Sequence, residues 1–134
     1  MAPAPTAVLV DDSSSTRCRL KAELTKLGIT VVGEAATADS LIELYEQYHP
    51  SLILLDIILP GIGGVAAATA LLKKYPSAKV VMCSSLNARD KVLACRASGV
   101  KHFILKPFSS TQIEEMAIKV LGLAPKASSQ RVAS

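Results

Sequence analysis

The chain alternates between short apolar runs and segments in which apolar residues recur with helical spacing. Five runs have the length and the aliphatic or β-branched composition of strands, and they span residues 7–10, 30–32, 52–55, 79–83 and 102–105. After each run, apolar residues recur every three or four positions, as on the buried face of a helix. The pattern predicts five strand and helix pairs in the order βα.

Capping and breaking residues fall where this alternation needs them. Serines at positions 13–15 can cap the first helix, and Thr37 or Asp39 can cap the second. Pro50 and Pro76 lie just beyond the second and third helices. Continuous apolar strands, each followed by a helix, predict an α/β fold with a parallel sheet covered by helices on both faces.

Composition sets the size of the fold and excludes some functions. The 134 residues suffice for one domain with a proper core, and half of them are hydrophobic. Of the 15 basic residues, Lys126 and Arg131 lie in a tail, which leaves 13 against 11 acidic residues in the remainder. This small excess and the absence of Trp argue against direct nucleic-acid binding. The three cysteines have no metal-ligand spacing, which indicates reduced thiols.

The sequence has no segment typical of membrane targeting. The N-terminus lacks the basic region of a signal peptide, and no apolar run approaches the roughly 18 residues of a spanning helix. The last dozen residues, LAPKASSQRVAS, have no apolar face. We therefore expect a cytoplasmic protein without membrane insertion, with one domain over residues 6–121 and a flexible tail or linker start over 122–134.

Polar side chains follow four of the five predicted strands. Asp11 and Asp12 come after the first strand, Asp56 follows the third, Ser84 the fourth and Lys106 the fifth. Because parallel strands end at one edge of a sheet, these side chains should share a site. Taken singly, each has an ordinary explanation: a helix cap for the first acids, a loop hydroxyl for the serine and a solvated charge for the lysine.

Three carboxylates at one edge would repel one another unless a cation lay among them. Unit charges about 4 Å apart interact by roughly 4 kcal/mol at an effective dielectric constant near 20. Oxygen ligands favour Mg²⁺ or a similar hard cation, and a phosphate often completes such a shell. The set suits phosphoryl transfer to a carboxylate, with Asp56 as the acceptor, Lys106 stabilising charge and Ser84 donating a hydrogen bond.

Four motifs resemble the receiver domain of two-component response regulators. They are DDSSSTR at 11–17, LLDIILPG at 54–61, VVMCSS at 80–85 and FILKPF at 103–108. The resemblance covers about residues 6–121. It implies a flavodoxin-like (βα)5 fold, doubly wound around a five-stranded parallel sheet of order 2-1-3-4-5.

The resemblance implies a role for each residue that matches a motif position. Asp56 would receive a phosphoryl group from a histidine kinase or a histidine phosphotransfer protein. Asp12 and Asp56 would bind Mg²⁺ directly, Asp11 would bind it mainly through water, and the backbone carbonyl of Ile58 would supply another ligand.

The resemblance also implies a switch that changes binding to a downstream protein target. Ser84 would move to bond the phosphoryl group, Lys106 would pair with it, and the bond from Lys106 to Pro107 would be cis. Phe103 matches an aromatic switch position, whose ring turns inward when the serine moves. An ordinary core aromatic explains Phe103 nearly as well.

Two apolar residues predict a long-lived phosphoryl group. Ile58 lies two residues after the acceptor, and Leu86 lies two residues after Ser84. By resemblance, both positions flank the phosphoryl group and influence access of the hydrolytic water. Neither side chain can orient that water by a hydrogen bond.

Two basic surfaces are candidates for partner binding. By resemblance, the first helix is the docking face for the phosphodonor, with Arg17, Arg19 and Lys21 beside the site. The second candidate is an output face for an acidic partner, although a solvated helix face is the simpler explanation. Its basic residues are Arg89, Lys91, Arg96 and Lys101, with one acid, Asp90.

The first interpretation is a stand-alone, chemotaxis-type regulator that assists only its own phosphorylation and dephosphorylation. Several other functions remain open. The chain could be the N-terminal receiver of a longer regulator with an output domain. A phosphatase of the haloacid-dehalogenase type also uses an aspartyl nucleophile and Mg²⁺, but it carries a second Asp where this chain has Ile58. A pseudo-receiver scaffold is disfavoured by the intact set of acids, serine and lysine.

Overall fold

The computed structural model describes residues 4–85 and 89–123 of the chain. Within these ranges there are five strands and five α-helices, with one short 3-10 helix, Ala38–Ser40, before the second α-helix. In chain order the strands and α-helices are β1 Thr6–Val10, α1 Ser14–Lys26, β2 Thr30–Ala35, α2 Leu41–Tyr48, β3 Leu52–Asp56, α3 Gly63–Lys74, β4 Val80–Ser84, α4 Arg89–Ala97, β5 His102–Leu105 and α5 Ser110–Leu121.

The five strands form one parallel sheet of order β2-β1-β3-β4-β5. This order confirms the predicted flavodoxin-like fold. The strand order reverses between β1 and β3, and the loops that leave those strands diverge to opposite faces of the sheet. The crevice that they open at the carboxyl edge is where open α/β sheets bind their ligands.

Alternate residues of the central strands pack against opposite helix layers. Ala7 and Leu9 of β1 belong to the core cluster that contains the buried residues of α1 and α5. Val8 and Val10 belong to the cluster that contains those of α2, α3 and α4. Because both faces of β1 are covered, it is apolar from Ala7 to Val10, as the sequence pattern predicted.

The structure differs from the sequence prediction in the extent of β2. The apolar run predicted a strand over residues 30–32, but β2 continues to Ala35. It is an edge strand whose side chains are only partly buried, so Gly33 and Glu34 can take part in its pairing with β1. The apolar pattern stops before the end of β2 because Gly33 and the exposed Glu34 interrupt it.

The helix starts agree with the sequence prediction at α1 and depart from it at α2. The Ser13 side chain accepts a hydrogen bond from the Thr16 backbone N–H and caps α1. Thr37 precedes the 3-10 helix without a side-chain capping bond, and α2 begins only at Leu41. A three-residue 3-10 helix therefore precedes α2, where the sequence predicted a single capping residue.

Candidate functional site

The carboxyl ends of the two central strands bring two acids together. Asp56 is the last residue of β3, and Asp11 follows β1 directly. Their side chains are nearly buried, with 2% of Asp11 and 7% of Asp56 exposed, whereas Asp12 is exposed. Carboxylate oxygens of all three acids lie within 4.8 Å of one another. The predicted cluster of acids is therefore assembled by the sheet.

Lys106 joins the two buried acids from the end of β5. Its Nζ donates a hydrogen bond of 2.9 Å to Asp11 Oδ2 and one of 2.8 Å to Asp56 Oδ2. The peptide bond from Lys106 to Pro107 is cis, as predicted. The ammonium is therefore held between two carboxylates by strong, charge-assisted hydrogen bonds.

The charges of the site fit a divalent cation. Three carboxylates against one ammonium leave two negative charges without compensation among these four side chains. Clustered carboxylate oxygens are the ligands that Mg²⁺ prefers, and this ion usually keeps several waters in its shell. The donor set present in the chain therefore suits Mg²⁺.

Burial has the largest effect on the pKa of Asp56, the candidate acceptor. It raises the pKa of the Asp56 carboxyl above its ordinary value, although the hydrogen bond from Lys106 opposes that rise. Burial lowers the pKa of Lys106, but its hydrogen bonds to Asp56 and Asp11 outweigh that effect, so the pKa lies above the ordinary value. The lysine therefore stays charged, while the Asp56 carboxyl ionises less readily than a free one.

The loop after β3 turns back onto Asp56. The Ile58 backbone N–H donates a hydrogen bond of 3.1 Å to Asp56 Oδ1. The Ile58 side chain is 45% exposed, so it lies at the surface of the loop beside the acceptor. Leu86, the other apolar residue named from the sequence, lies outside the described residues.

Ser84 lies on β4 and Phe103 lies on the neighbouring strand β5. Neither side chain takes part in the hydrogen bonds described for the acids. Ser84 is buried at the end of β4, and its hydroxyl donates to the backbone carbonyl of Ser85 at 3.0 Å. Phe103 is partly buried on β5, with the Arg96 guanidinium carbon 5.6 Å from the centre of its ring. In this structure the serine hydroxyl is thus bonded to its own loop.

Two features of the site were not identified from the sequence. The first is that Arg17 contacts the backbone of the site: its Nη1 donates to the Asp11 carbonyl oxygen, and its Nε donates to Glu34 Oε1 at 3.1 Å. The strand pairing that places Glu34 beside Leu9 of β1 gives the signal, because it sets Glu34 next to the end of that strand. An acid at this register position and a basic residue in the first turns of α1 could have predicted the pair.

The second feature is the close approach of α3 to the end of β3. The Gly64 backbone N–H donates to the Ile57 carbonyl at 3.0 Å. A Cβ at position 64 would lie 2.1 Å from the Asp56 carbonyl oxygen. The adjacent glycines Gly63 and Gly64 were visible in the sequence, but only the fold shows that the second one faces backbone.

The basic residues of α1 have different surroundings. Arg17 and Lys21 form ion pairs with Glu34, at 3.1 and 3.7 Å. Arg19 lines a groove of about 510 Å³ between α1 and the segment after β5, together with Ser15, Thr16, Lys106, Pro107 and Phe108. Of the three basic residues named from the sequence, Arg19 is therefore the one that lines this groove.

The second basic surface is partly described. Lys91, Arg96 and Lys101 are exposed, while the side chains of residues 89 and 90 lie outside the description. Two large apolar side chains are also exposed there, Leu93 on α4 and Leu105 on β5.

Across residues 4–85 and 89–123, none of the helices is both long and apolar enough to span a bilayer.

The fold and the site together define a receiver-like α/β domain, with a cluster of acids and a lysine at the switch point of a five-stranded parallel sheet. The family described as the response regulator receiver domain matches residues 7–118. The chain therefore belongs to the response regulator receiver family, whose members act in two-component signalling.

Relatives include single receivers and a longer regulator. The chemotaxis protein CheY of Thermotoga maritima is 34% identical over 113 residues, which cover 84% of this chain and 94% of that protein. The response regulator protein VraR of Staphylococcus epidermidis is also 34% identical over 113 residues, but these cover only 54% of its length.

Among solved structures, the CheX-CheY-BeF3-Mg complex from Borrelia burgdorferi contains a similar chain. It has a TM-score of 0.80 and 25% identity, and the match covers 87% of this chain and 88% of that one. The match places this chain's fold beside that of a CheY whose structure was solved with Mg²⁺ and BeF3.

Proposed function

We propose that the protein is a phosphorylation-activated response regulator receiver that accepts a phosphoryl group on Asp56 from a histidine kinase or a histidine phosphotransfer protein. The observation that carries this proposal is the position of the Asp56 carboxylate. It ends the central strand β3, lies within 4.8 Å of the carboxylates of Asp11 and Asp12, and accepts a hydrogen bond of 2.8 Å from Lys106. Few structural roles would justify so much uncompensated charge at one edge.

The transfer step needs an ionised carboxylate in line with the donor's phosphorus, at a site that would also hold Mg²⁺. A lone pair of an Asp56 oxygen attacks that phosphorus, and a new O–P bond forms while the bond between phosphorus and the donor's histidine nitrogen breaks. The departing nitrogen keeps the electron pair of the broken bond. Lys106, already within hydrogen-bonding distance of Asp56, then stabilises the charge on the transferred group.

The residues that would hold Mg²⁺ are Asp12 and Asp56 directly, Asp11 mainly through water, and Ile58 by its backbone carbonyl. The ion, when bound, would lower the Asp56 pKa and neutralise charge on the phosphoryl oxygens.

Ser84 and Phe103 would convert phosphorylation into a change of surface. A phosphoryl group adds about 1.5 to 2 negative charges and three strong acceptor oxygens. The Ser84 hydroxyl, bonded at present to the Ser85 carbonyl, would exchange that partner for a phosphoryl oxygen. Space vacated by the serine would admit the Phe103 ring, although Phe103 also serves as an ordinary core aromatic.

Ile58 is proposed to prolong the phosphorylated state. Its half-exposed side chain stands in the loop that leaves Asp56, and it offers no hydrogen bond to an attacking water. An apolar group there excludes the water or leaves it unoriented, and either effect slows hydrolysis of the acyl phosphate.

The phosphorylation proposal is tested by incubating the protein with acetyl phosphate or phosphoramidate and Mg²⁺, and measuring the added mass. We expect one phosphoryl group on the wild-type chain and none on Asp56→Asn, which keeps the size of the side chain but removes the nucleophile. Omitting Mg²⁺ should abolish labelling. Labelling of Asp56→Asn at the wild-type rate would show that another residue is the acceptor.

The proposed output surface is formed by α4 and β5, with a basic character suited to an acidic partner. Its exposed basic residues Lys91, Arg96 and Lys101 accompany the exposed Leu93 and Leu105. Pull-down with and without beryllofluoride, which mimics the acyl phosphate, should recover the downstream protein target. Arg96→Glu should reduce recovery, whereas the matched reversal Lys73→Glu on α3 should not. Intact binding by Arg96→Glu would leave the solvated-face explanation.

A stand-alone chemotaxis-type regulator is the proposed context, with the receiver over residues 6–121 and a tail or linker over 122–134. The alternative is a receiver within a longer regulator. The same receiver matches 94% of a CheY and 54% of VraR, so the two matches fit either context. An immunoblot of source-cell extract distinguishes them, since a stand-alone protein runs at the size of 134 residues. The family match also favours a signalling module over a haloacid-dehalogenase-type phosphatase.

A further inference from the structure

We propose that Arg17 is a positioning residue for the metal site, because its guanidinium fixes the peptide group that joins Asp11 to Asp12. The inference rests on the proposed function in one respect: it takes these acids to be ligands of Mg²⁺. It adds a residue outside the ligand set and assigns it a role distinct from docking a phosphodonor.

The contacts of Arg17 run to two different elements. Nη1 donates a hydrogen bond to the Asp11 backbone carbonyl oxygen, and Nε donates one of 3.1 Å to Glu34 Oε1. The side chain is 18% exposed, so most of it is removed from water. A planar guanidinium held by two acceptors has one orientation, and a lysine ammonium could not span the same pair.

Glu34 is itself placed by the sheet. It lies opposite Leu9 in the pairing of β1 with β2, one residue before Ala35, whose carbonyl accepts the Asp11 N–H at 3.0 Å. Its second carboxylate oxygen is 3.7 Å from Lys21 Nζ. The sheet therefore fixes Glu34, Glu34 orients the guanidinium, and the guanidinium holds the Asp11 carbonyl.

By holding the Asp11 carbonyl, Arg17 sets the direction in which the chain continues into Asp12. The Asp11 side chain is already fixed, with Oδ1 accepting from the Ser13 N–H at 2.8 Å and Oδ2 accepting from Lys106 at 2.9 Å. Asp12, in contrast, is exposed. The Asp11 carbonyl and the Asp12 nitrogen belong to one planar peptide group, so fixing that carbonyl sets the course of the chain into Asp12.

The sign of the effect separates positioning from simple electrostatics. Arg17 is a cation against the backbone of an acidic site, so its loss by itself should favour binding of another cation. A positioning role predicts the opposite, because a misdirected Asp12 weakens the site. Groups that orient ligands without touching the metal typically contribute 10- to 100-fold to metal affinity.

The experiment is a Mg²⁺ titration of the full chain, followed by the amide NMR signals of residues 11–13, for four proteins. We expect Arg17→Met to weaken Mg²⁺ binding about tenfold, and Arg17→Lys, which keeps the charge, to weaken it similarly. Lys21→Met removes the other partner of Glu34 without any contact to Asp11, and its affinity should stay within about twofold of wild type.

Each outcome decides the inference. Weaker binding by Arg17→Lys, in a chain whose other amide signals and urea midpoint match wild type, supports it. Unchanged or tighter binding by Arg17→Lys overturns it and leaves the proposed function intact. If the wild-type chain binds no Mg²⁺, both this inference and the metal requirement of the proposed function fail. If Arg17→Met does not fold, Arg17→Lys alone decides.

Discussion

Replacing Gly64 with alanine should destabilise the protein far more than replacing its neighbour Gly63. An alanine Cβ at position 64 would lie 2.1 Å from the Asp56 carbonyl oxygen and 2.8 Å from the Ile57 Cα. Both obstacles are backbone, so no side chain can rotate away. Overpacking a tight site commonly costs about 1–3 kcal/mol. A contact this short places Gly64→Ala at or beyond about 3 kcal/mol.

Gly63→Ala is the matched control. Gly63 has a φ of +77°, but a Cβ there meets nothing within 4 Å. Its replacement should cost only the left-handed backbone penalty, about 1–2 kcal/mol. Urea denaturation followed by helical circular dichroism gives both free energies of unfolding. Because the clash pushes on the residue that ends β3, Gly64→Ala should also lose beryllofluoride binding.

Comparable free energies for the two variants would refute the reasoning about Gly64. They would mean that α3 can move away from the end of β3 at little cost. In that case beryllofluoride binding by Gly64→Ala should stay close to that of Gly63→Ala, and the close approach would have no part in holding Asp56.

Three further predictions concern charge and water. Ile58→Asn should speed loss of the phosphoryl group after labelling with a small donor, and an unchanged rate would contradict the proposed shielding. Lys106→Met leaves the Asp56 carboxylate beside other negative charges, so the free energy of unfolding without Mg²⁺ should fall. The increase in this free energy on adding Mg²⁺ should be larger in the variant than in wild type. Equal increases in the two proteins would contradict this electrostatic reasoning. Hydrogen bonds from Lys74 and Tyr75 lower the pKa of Glu46, so this group contributes stability above its unfolded pKa and loses it as the pH falls through the folded pKa. In Lys74→Met the Glu46 pKa, followed by NMR, should rise toward its ordinary value.

The sequence predicted the fold where burial alone determines the pattern. β1, β3 and β4 are covered on both faces and therefore read as apolar runs. The edge strand β2 carries Gly33 and Glu34 in its second half, and its end was placed too early. The partial burial of an edge strand removes the constraint from which its length could be predicted.

The candidate site was predictable to the level of its side chains and no further. Topology alone brings Asp11, Asp56 and Lys106 to one edge, because parallel strands all end there. The contact from Arg17 to the Asp11 carbonyl depends on where a long side chain finds its acceptors, and no periodicity encodes that. The lack of space for a Cβ at Gly64 arises because two backbone segments approach each other closely in the folded chain.

The hydrogen bonds of Lys106 span the chain. They join this residue to Asp56, 50 positions earlier, and to Asp11, 95 positions earlier. A chain emerging from the ribosome would expose both acids long before the lysine that bridges them is synthesised. The charged site would therefore be complete only after the last strand has joined the sheet, and an incomplete translation product would carry the two acids without their bridging cation.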